Sequence, residues 1–401
     1  MRNMHNKYSQ SGKDFEEGIN FERLRRDRLQ RVREAMKRHG LGAIVAFAEE
    51  NIRYVTGIAG LPFIGSRYTV LPLEGEPMHF EQGGDLRWVR DFGAPWLSGR
   101  ITHSIPVGDA MQFGSEAIAK LSKLWMGGVK RTLQDMGVSK EKIGFDYTGG
   151  LVPVLEEAGI NYVNAWPCMY DARSIKTRDE LLLLGIAQTI AAAGFYTMEQ
   201  MMKPGIRESE VRAEMVKTML SLGADDVVGT FCSGGRTNPY FRSGATDKIL
   251  GPGDLVISDI VVRYMGYHTC TVRTMLVGDE PTSEQKALYR ECYESMLRTM
   301  YACKAGVGTD KVAEALPHGT FEDYSLNIVH GLGIGGHEPP AITHMFAKDF
   351  PMELNENMYL AVETYAGGPD CNQGVRLEED IVITESGYET LSRYPFDKRM
   401  L

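Results

Sequence analysis

Residues 330–340 read His330-Gly331-Leu332-Gly333-Ile334-Gly335-Gly336-His337-Glu338-Pro339-Pro340. A segment with this much glycine is too flexible for the interior of a helix and too short for a linker. Glycine lets a backbone pass close to a ligand, and imidazole supplies metal-ligand or acid–base chemistry. The segment therefore predicts a functional loop. The alternative is a surface loop that carries two incidental histidines.

The bulk composition excludes several classes of protein. The chain has 401 residues, of which 43% are hydrophobic and 24% charged, and these are ordinary values for a globular protein of two or three domains. A formal net charge of −9 argues against a partner that is a nucleic acid or an anionic membrane. Without an apolar run of 18 residues, we expect no membrane span. A small-molecule substrate is the partner that remains.

The N-terminus and the cysteines indicate the compartment. Residues 1–20 are polar, mixed in charge and free of a hydrophobic signal region, so we interpret them as an arm of a cytoplasmic protein that is flexible or clasps a partner. The six cysteines are scattered without metal-binding or redox spacing, which predicts free thiols.

Residues 21–172 alternate between helical and strand patterns, which predicts an α/β domain. An amphipathic helix runs from Phe21 to His39 and ends at Gly40. Residues 68–73 and 77–80 have the pattern of a hairpin. We interpret residues 51–57 as a turn, and residues 111–136 as a helical region interrupted at Gly127-Gly128.

The composition changes near residue 173, where we place the domain boundary. A long helical pattern runs from Arg178 to about Met202, and a second covers residues 209–222. Strand patterns follow, among them residues 254–262, 267–277, 358–363 and 375–384. Helices that precede and interrupt a mostly antiparallel strand set predict an α+β domain over residues 173–401.

Three carboxylates interrupt apolar strands in this second domain. Asp259 lies within Leu255–Val262, Glu363 ends the run from Tyr359, and Glu378 precedes Ile381-Val382-Ile383. A carboxylate in such a strand is costly unless it is paired or bound to a metal. With the two histidines, the three acids make an oxygen and nitrogen ligand set. Alternatively each acid is a salt-bridged strand residue, with Arg273 and Arg376 as partners.

From about residue 173 to its end, the chain resembles the pita-bread family, which contains methionine and Xaa-Pro aminopeptidases, prolidases, creatinases and some dimethylsulfoniopropionate lyases. The matching residues are Pro252-Gly253-Asp254, the segment 330–340, Glu363, and Arg376-Leu377-Glu378. Residues 51–57 match the smaller creatinase-type domain best. The resemblance implies an α+β fold: an arm (1–20), an α/β creatinase-type N-terminal domain (21–172) and a pita-bread catalytic domain (173–401).

In the metal-dependent members of that family, two aspartates, one histidine and two glutamates hold two divalent ions. The resemblance maps this set onto Asp259, position 270, His330, Glu363 and Glu378. His337 matches the second histidine, which contacts the substrate or its developing charge.

Position 270 departs from the family, because it is Cys270. A thiolate is a softer donor and favours zinc, iron or copper over manganese or magnesium. His268 lies two residues earlier on the same strand face and is an alternative ligand, while Cys270 is alternatively a small buried hydrophobe. The sequence leaves open a divalent metal (iron, zinc or manganese) and a metal-free site.

Each subfamily is matched only in part. Peptidase members carry a histidine shortly before the Asp259 strand, and residues 233–241 have none. The creatinase pattern requires a histidine in that segment and a glutamate at position 272, where this chain has Thr237 and Val272. Arg236-Thr237-Asn238-Pro239 resembles the lyases, but the lyases have a shorter histidine loop with an acid in place of His337.

We predict a hydrolase of the Xaa-Pro peptidase or creatinase type that cleaves an amide or other C–N bond in a small polar, amino-acid-derived substrate. Glu363 or Glu378 takes a proton from water, and His330 and His337 polarise or protonate the scissile group.

Further side chains are candidates for binding the substrate. Arg236 or Arg376 anchors a carboxylate by bidentate hydrogen bonds. Tyr240, Phe241 and Tyr365 face a quaternary cation, unless they are ordinary core aromatics.

Two alternatives and an assembly complete the predictions. The chain is alternatively a lyase that acts on a small zwitterion by base-catalysed elimination, or a non-catalytic pita-bread binding module. The resemblance also implies a homodimer, in which the N-terminal domain of one subunit covers the site of the other.

Overall fold

The protein is described here by a computed structural model that covers residues 18–60, 67–147, 151–278, 280–318 and 326–401. The arm predicted over residues 1–20 falls almost wholly outside the described residues. The chain divides into two compact units, with the division between Arg173 and Ser174.

The unit Asn20–Arg173 is built on a six-stranded mixed sheet in the order β4-β3-β2-β1-β5-β6. The hairpin predicted near residue 75 is present as the antiparallel pair β2–β3. The strands are β1 Ala43–Ala46, β2 Tyr68–Pro72, β3 Met78–Glu81, β4 Ile101–His103, β5 Ile143–Phe145 and β6 Tyr162–Asn164. The helices are α1 Phe21–His39, α2 Glu49–Thr56, α3 Leu86–Trp88, α4 Ser115–Asp135, α5 Val152–Ala158 and α6 Trp166–Arg173.

Helix α1 has the predicted bounds. The Asn20 side chain caps its start by accepting a hydrogen bond from the backbone N–H of Arg23 at 2.9 Å. Gly40 ends it with a φ of 64°, which glycine adopts without strain.

Two local predictions in this unit are wrong. Residues 51–56 belong to helix α2, not to a turn, and Gly57 at φ 78° ends that helix. Helix α4 runs through Gly127-Gly128 without interruption. The buried face of α4, which includes Trp125, Val129 and Leu133, packs in the domain core. That burial outweighs a cost of about 1 kcal/mol for each glycine.

The unit Ser174–Leu401 contains two antiparallel sheets, one of three strands (β7-β8-β9) and one of five (β11-β10-β12-β13-β14). The predicted α+β fold is confirmed. The helices are α7 Arg178–Met201, α8 Glu208–Ser221, α9 Ser283–Ala302 and α10 Thr309–Ala313. The strands are β7 Asp226–Ser233, β8 Leu255–Tyr264, β9 Tyr267–Leu276, β10 Ile328–Gly331, β11 Glu338–Ile342, β12 Tyr359–Ala366, β13 Val375–Ile383 and β14 Tyr388–Thr390.

Helices cover both sheets on their apolar faces. Helix α9 packs against β12 and β13, and helix α7 packs against β8 and β9. Helix α7 is the one helix of the described residues that is long and apolar enough to cross a membrane, but 56% of the relevant window is buried inside the protein. It therefore has the character of a core helix.

The histidine segment is less of a loop than its glycines predict. His330 and Gly331 are the last residues of β10, and Glu338 begins β11. Only residues 332–337 lie between the two strands. They return the chain so that Gly331 pairs with Glu338.

Candidate functional site

Five strands from the two sheets bring the predicted acids, Cys270 and His330 together. Asp259 is on β8 and Cys270 on β9, while His330, Glu363 and Glu378 come from β10, β12 and β13. Glu363 and Glu378 stand directly opposite each other in the β12–β13 register. Like charges in that relation are destabilising unless a cation or a proton intervenes.

These side chains form two overlapping groups. The ligand atoms of Asp259, Cys270 and Glu378 lie within 4.8 Å of one another, as do those of His330, Glu363 and Glu378. Glu378 is common to both groups. The structure therefore brings together all five residues that the resemblance assigned to metal binding.

His330 faces Glu363 with an unprotonated nitrogen. Its Nδ1 lies 3.0 Å from the carbonyl oxygen of Gly331, which only an N–H can satisfy, so Nε2 keeps its lone pair. Nε2 is 2.9 Å from Glu363 Oε1. Complete burial lowers the pKa of His330, which favours the neutral ring. Two lone pairs at this distance repel each other unless a cation or a proton lies between them.

Glu378 is the most poorly satisfied group of the cluster. It is fully buried, and neither of its oxygens accepts a hydrogen bond from an N–H or O–H group of the described residues. Burial raises its pKa well above the usual range, and the charges of Asp380 and Asp259 raise it further. Burial and the neighbouring carboxylates, Glu378 first among them, also raise the pKa of the Cys270 thiol. That thiol lies 3.7 Å from Asp259 Oδ1.

Arg376 supplies the one positive charge that the structure shows in ion pairs with this cluster. Its guanidinium pairs with Glu363 and lies 3.8 Å from Asp259. The side chain is buried and sits over the ring of Tyr240 at 5.1 Å. As it stands, Arg376 holds two carboxylates of the site, which is a different task from the predicted anchoring of a substrate.

The other predicted substrate-binding residues lie beside the cluster or are engaged elsewhere. Arg236 pairs with the buried carboxylate of Glu208. The hydroxyl of Tyr240 donates to Asp259 Oδ2 at 3.1 Å. The Tyr365 hydroxyl lies 2.9 Å from the Thr237 carbonyl oxygen, and its ring centroid is 6.4 Å from that of Tyr240.

On strand β9 the sequence left three possibilities: Cys270 as a ligand, His268 as a ligand, or Cys270 as a small buried hydrophobe. The geometry favours Cys270 as the ligand. Cys270 belongs to a ligand group, whereas His268 is in neither group among the described residues. The backbone N–H of His268 donates to the carbonyl of Gly333 at 2.7 Å. Arg273, offered as a partner for the site acids, instead pairs with Glu379 on the opposite face of β13.

His337 lies against His330 with ring centroids 3.8 Å apart and planes inclined by 10°. The ring remains partly exposed. Loss of hydration is the larger cause that lowers its pKa to about 4, and the charges of His330 and Arg242 add to it. A neutral His337 can donate or accept one hydrogen bond at neutral pH.

Sequence reasoning missed Asp380. Its Oδ2 accepts hydrogen bonds from Gln188 Nε2 and Tyr359 Oη, each at 2.5 Å, and from the backbone N–H of Cys270 at 3.1 Å. Burial raises its pKa to about 7 despite these donors. Strand alternation places residues 378 and 380 on one face, so period-two reasoning could have found it.

The residues present fit a divalent cation. The cluster has three carboxylates, Asp259, Glu363 and Glu378. Among the described residues one guanidinium forms ion pairs with them, and Glu378 has no N–H or O–H donor. Two ligands of one cation, each about 2.1 Å from it, lie about 3 Å apart, which is the separation of His330 Nε2 and Glu363 Oε1. The donor set is oxygen and nitrogen with one sulfur, which zinc and iron accept.

Two family models match this chain. Residues 183–385 match metallopeptidase family M24, and residues 28–173 match the creatinase/prolidase N-terminal domain.

Curated relatives are similar over 56% to 95% of the chain. An uncharacterized peptidase YqhT from Bacillus subtilis is 26% identical over 375 residues, covering 92% of this chain and 98% of that protein. An Xaa-Pro dipeptidase from Pyrococcus furiosus is 30% identical over 229 residues, covering 56% and 64%. A dimethylsulfoniopropionate lyase DddP from Roseovarius nubinhibens is 24% identical over 408 residues, covering 95% and 88%.

A solved structure has the same fold. The Xaa-Pro dipeptidase from Bacillus anthracis superposes with a TM-score of 0.74 at 22% sequence identity, covering 93% of this chain and 98% of that one.

Proposed function

The chain belongs to metallopeptidase family M24, and from this premise we propose that it hydrolyses an amide bond in a small dipeptide-like substrate at a cation site of altered composition. The predicted pita-bread resemblance and the predicted hydrolase class are confirmed by that membership. The family implies a divalent metal. In this chain the ligands that we propose are Asp259, Cys270, His330, Glu363 and Glu378.

The observation that carries the proposal is the shared position of Glu378. A buried carboxylate without an N–H or O–H donor is costly, and this one lies at the junction of two ligand groups. A cation next to it would remove that cost. A structural salt bridge, the alternative reading of these acids, accounts for Glu363 but not for Glu378.

The chain's own residues then have distinct tasks. A bound divalent ion would polarise the scissile carbonyl and lower the pKa of water. Glu378, at the junction of the two ligand groups, accepts a proton from water and can return it to the leaving amine. His337 is the partly exposed imidazole, and its N–H is available to the oxygen that gains charge. Arg376 keeps Glu363 and Asp259 in place.

We assign the substrate carboxylate to Arg242 in place of Arg376. The charge of Arg242 is near enough to His337 to lower the pKa of that imidazole, and its guanidinium lies 5.8 Å from the Tyr240 ring centroid. A cation beside the proton-donating histidine suits the free carboxylate of a dipeptide. Arg236 is held by Glu208 and is the weaker candidate.

Cys270 sets the kind of metal in this proposal. A single thiolate provides one soft donor where a bridging carboxylate would provide two hard ones. We therefore expect zinc or iron to be retained in preference to manganese, and the group that contains Cys270 to bind a second ion more weakly than the group that contains His330.

The test combines metal content with turnover. Protein purified without chelator or a metal-affinity tag is analysed for iron, zinc and manganese, and is then assayed for release of proline from Xaa-Pro dipeptides. We expect at least one equivalent of metal per chain and turnover that falls at least 100-fold in Glu363→Gln. The exposed Glu385→Gln is the matched control. If the wild type holds no metal and hydrolyses no dipeptide, the proposal is overturned.

The same preparation separates the two alternatives. The match to the lyase covers 95% of this chain, so a sulfonium zwitterion is tested for elimination alongside the dipeptides. Elimination without hydrolysis would favour the lyase. Tight binding of either substrate without turnover would favour the non-catalytic module.

Assembly and location stay predictions. A homodimer predicts a mass of twice 44.7 kDa in light scattering, and a single symmetric peak at monomer mass would remove it. A cytoplasmic location is tested by fractionating cells that express the full chain.

A further inference from the structure

A buried ion pair lies directly beneath the histidine loop, residues 332–337. Lys176 Nζ is 2.8 Å from Glu338 Oε2, and the two side chains are 1% and 0% exposed. They are 162 positions apart in sequence. An ion pair this deeply buried is weak evidence for stability, because removing both charges from water offsets most of their attraction. Its placement therefore calls for another explanation.

The pair ties the middle of the loop to the strand that follows it and to the segment that contains Lys176. Glu338 Oε1 accepts a hydrogen bond from the backbone N–H of Gly335 at 2.9 Å, so the same carboxylate bonds Lys176 and the middle of the loop. Lys176 is itself fixed, since its backbone N–H donates to the carbonyl of Asn357 at 2.9 Å. The preceding residue, Ile175, forms a bridge with Met358.

Gly333 shows how closely the pair and the loop are packed. A Cβ added at this residue would lie 2.8 Å from Glu338 Oε2 and 2.9 Å from Lys176 Cε. A side chain at residue 333 would therefore have to displace the ion pair below the loop. The sequence had attributed the loop glycines to the close approach of a ligand.

His337 precedes Glu338, and few contacts of its own fix the position of its ring. Within the described part of the chain the imidazole makes no hydrogen bond, and its one ring contact is the stack on His330 at 3.8 Å. The position of this ring thus depends on the backbone of residues 335–338. That backbone is what the carboxylate of Glu338 fixes.

We propose that the Lys176–Glu338 pair positions His337: it locks the histidine loop so that the imidazole stays stacked on His330 and presents its N–H to the substrate. Lys176 and Glu338 are positioning residues that act through His337. The expected change in kcat rests on the proposed function, whereas the expected change in the order of the loop does not.

The first arm of the test is independent of activity. Amide hydrogen exchange is followed by mass spectrometry in Lys176→Gln, Glu338→Gln and the double variant, and metal content is measured in each. We expect exchange in the peptide that contains residues 332–337 to rise at least tenfold in Lys176→Gln. Metal content and exchange elsewhere stay as in the wild type. Lys311→Met, which breaks the exposed pair with Glu314, is the matched control.

The second arm asks whether Lys176 acts through His337. We expect Lys176→Gln to lower kcat at least tenfold while KM changes less than threefold. In the His337→Ala background the same substitution should change kcat less than twofold. The double variant Lys176→Gln/Glu338→Gln keeps a hydrogen-bonding amide pair and should recover part of the lost kcat.

The outcomes separate this inference from the proposed function. The inference is overturned if amide exchange in the loop of Lys176→Gln is unchanged. It is also overturned if Lys176→Gln lowers kcat by the same factor in the His337→Ala background as in the wild type. Should Lys176→Gln not fold, Glu338→Gln alone must show the loop effect, because it removes the charge and keeps an acceptor for Gly335. If the wild type shows no turnover, the proposed function is refuted. Hydrogen exchange alone then decides whether the Lys176–Glu338 pair orders the loop.

Discussion

Replacing Glu378 with glutamine should stabilise the metal-free protein and abolish the stabilisation that metal confers. In the wild type, this carboxylate is fully buried, stands opposite Glu363 and accepts no hydrogen bond from an N–H or O–H group in the described part of the chain. Glutamine has nearly the same shape and carries no charge. Its amide can also donate to Asp259 or Asp380, the two carboxylates that raise the pKa of Glu378.

The magnitude follows from the cost of an unsatisfied buried polar group, which is about 1–3 kcal/mol. For a unit of 150–250 residues, each kcal/mol shifts Tm by about 2–4 °C, so we expect a rise of about 2–12 °C in chelator. Metal at 100 times its Kd stabilises a protein that binds it by about 2.7 kcal/mol. The wild type should show a gain of this order, and Glu378→Gln should show none.

Thermal unfolding of both proteins in chelator and in zinc measures all four quantities, with the exposed Glu385→Gln as the control. The reasoning is refuted if Glu378→Gln is less stable than the wild type in chelator. It is equally refuted if zinc stabilises both proteins by the same amount, because the ligand shared by the two groups would then be dispensable.

Three further predictions concern the same region. The pKa of Asp380 is raised to about 7, so between pH 4 and 7 the folded metal-free protein holds a proton that the unfolded chain lacks. The free energy of unfolding should therefore fall by at most about 4 kcal/mol as pH rises through that window. In Asp380→Asn the urea midpoint should lose this dependence on pH. Cys270→Asp should raise the ratio of manganese to zinc affinity at least tenfold, measured by metal competition, while Cys270→Ser should not. Gly333→Ala should cost about 1–3 kcal/mol through overpacking, whereas Gly336→Ala, whose Cβ would lie 3.9 Å from the nearest atom, should be nearly neutral in the same denaturation assay.

The strands and their charged residues were readable from sequence because burial and alternation leave a local signature. A carboxylate within Leu255–Val262 is visible as an exception to an apolar run, and the structure brings Asp259 into a ligand group with Cys270. Helix α1 was equally readable, because its apolar spacing is local and Gly40, which ends it, adjoins it in sequence. The predicted sites themselves stay proposals until variants are measured.

The errors arose where tertiary packing outweighs local preference. Gly127-Gly128 continues a helix because the neighbouring apolar face is buried. Arg376 looked available for a substrate carboxylate because its partner Glu363 lies on another strand. Lys176 carried no signal at all, since a lysine that pairs with a residue 162 positions away resembles any surface lysine in one sequence.

Strand β13 has a consequence for how this protein tolerates insertions and deletions. Glu378 and Asp380 face the site, whereas Glu379 faces the other way and pairs with Arg273. Removing one residue upstream within the strand would turn Glu379 inward and break its ion pair with Arg273. Removing two would restore the facing but displace every carboxylate by about 7 Å. In a library of variants, β13 should therefore accept no change of length.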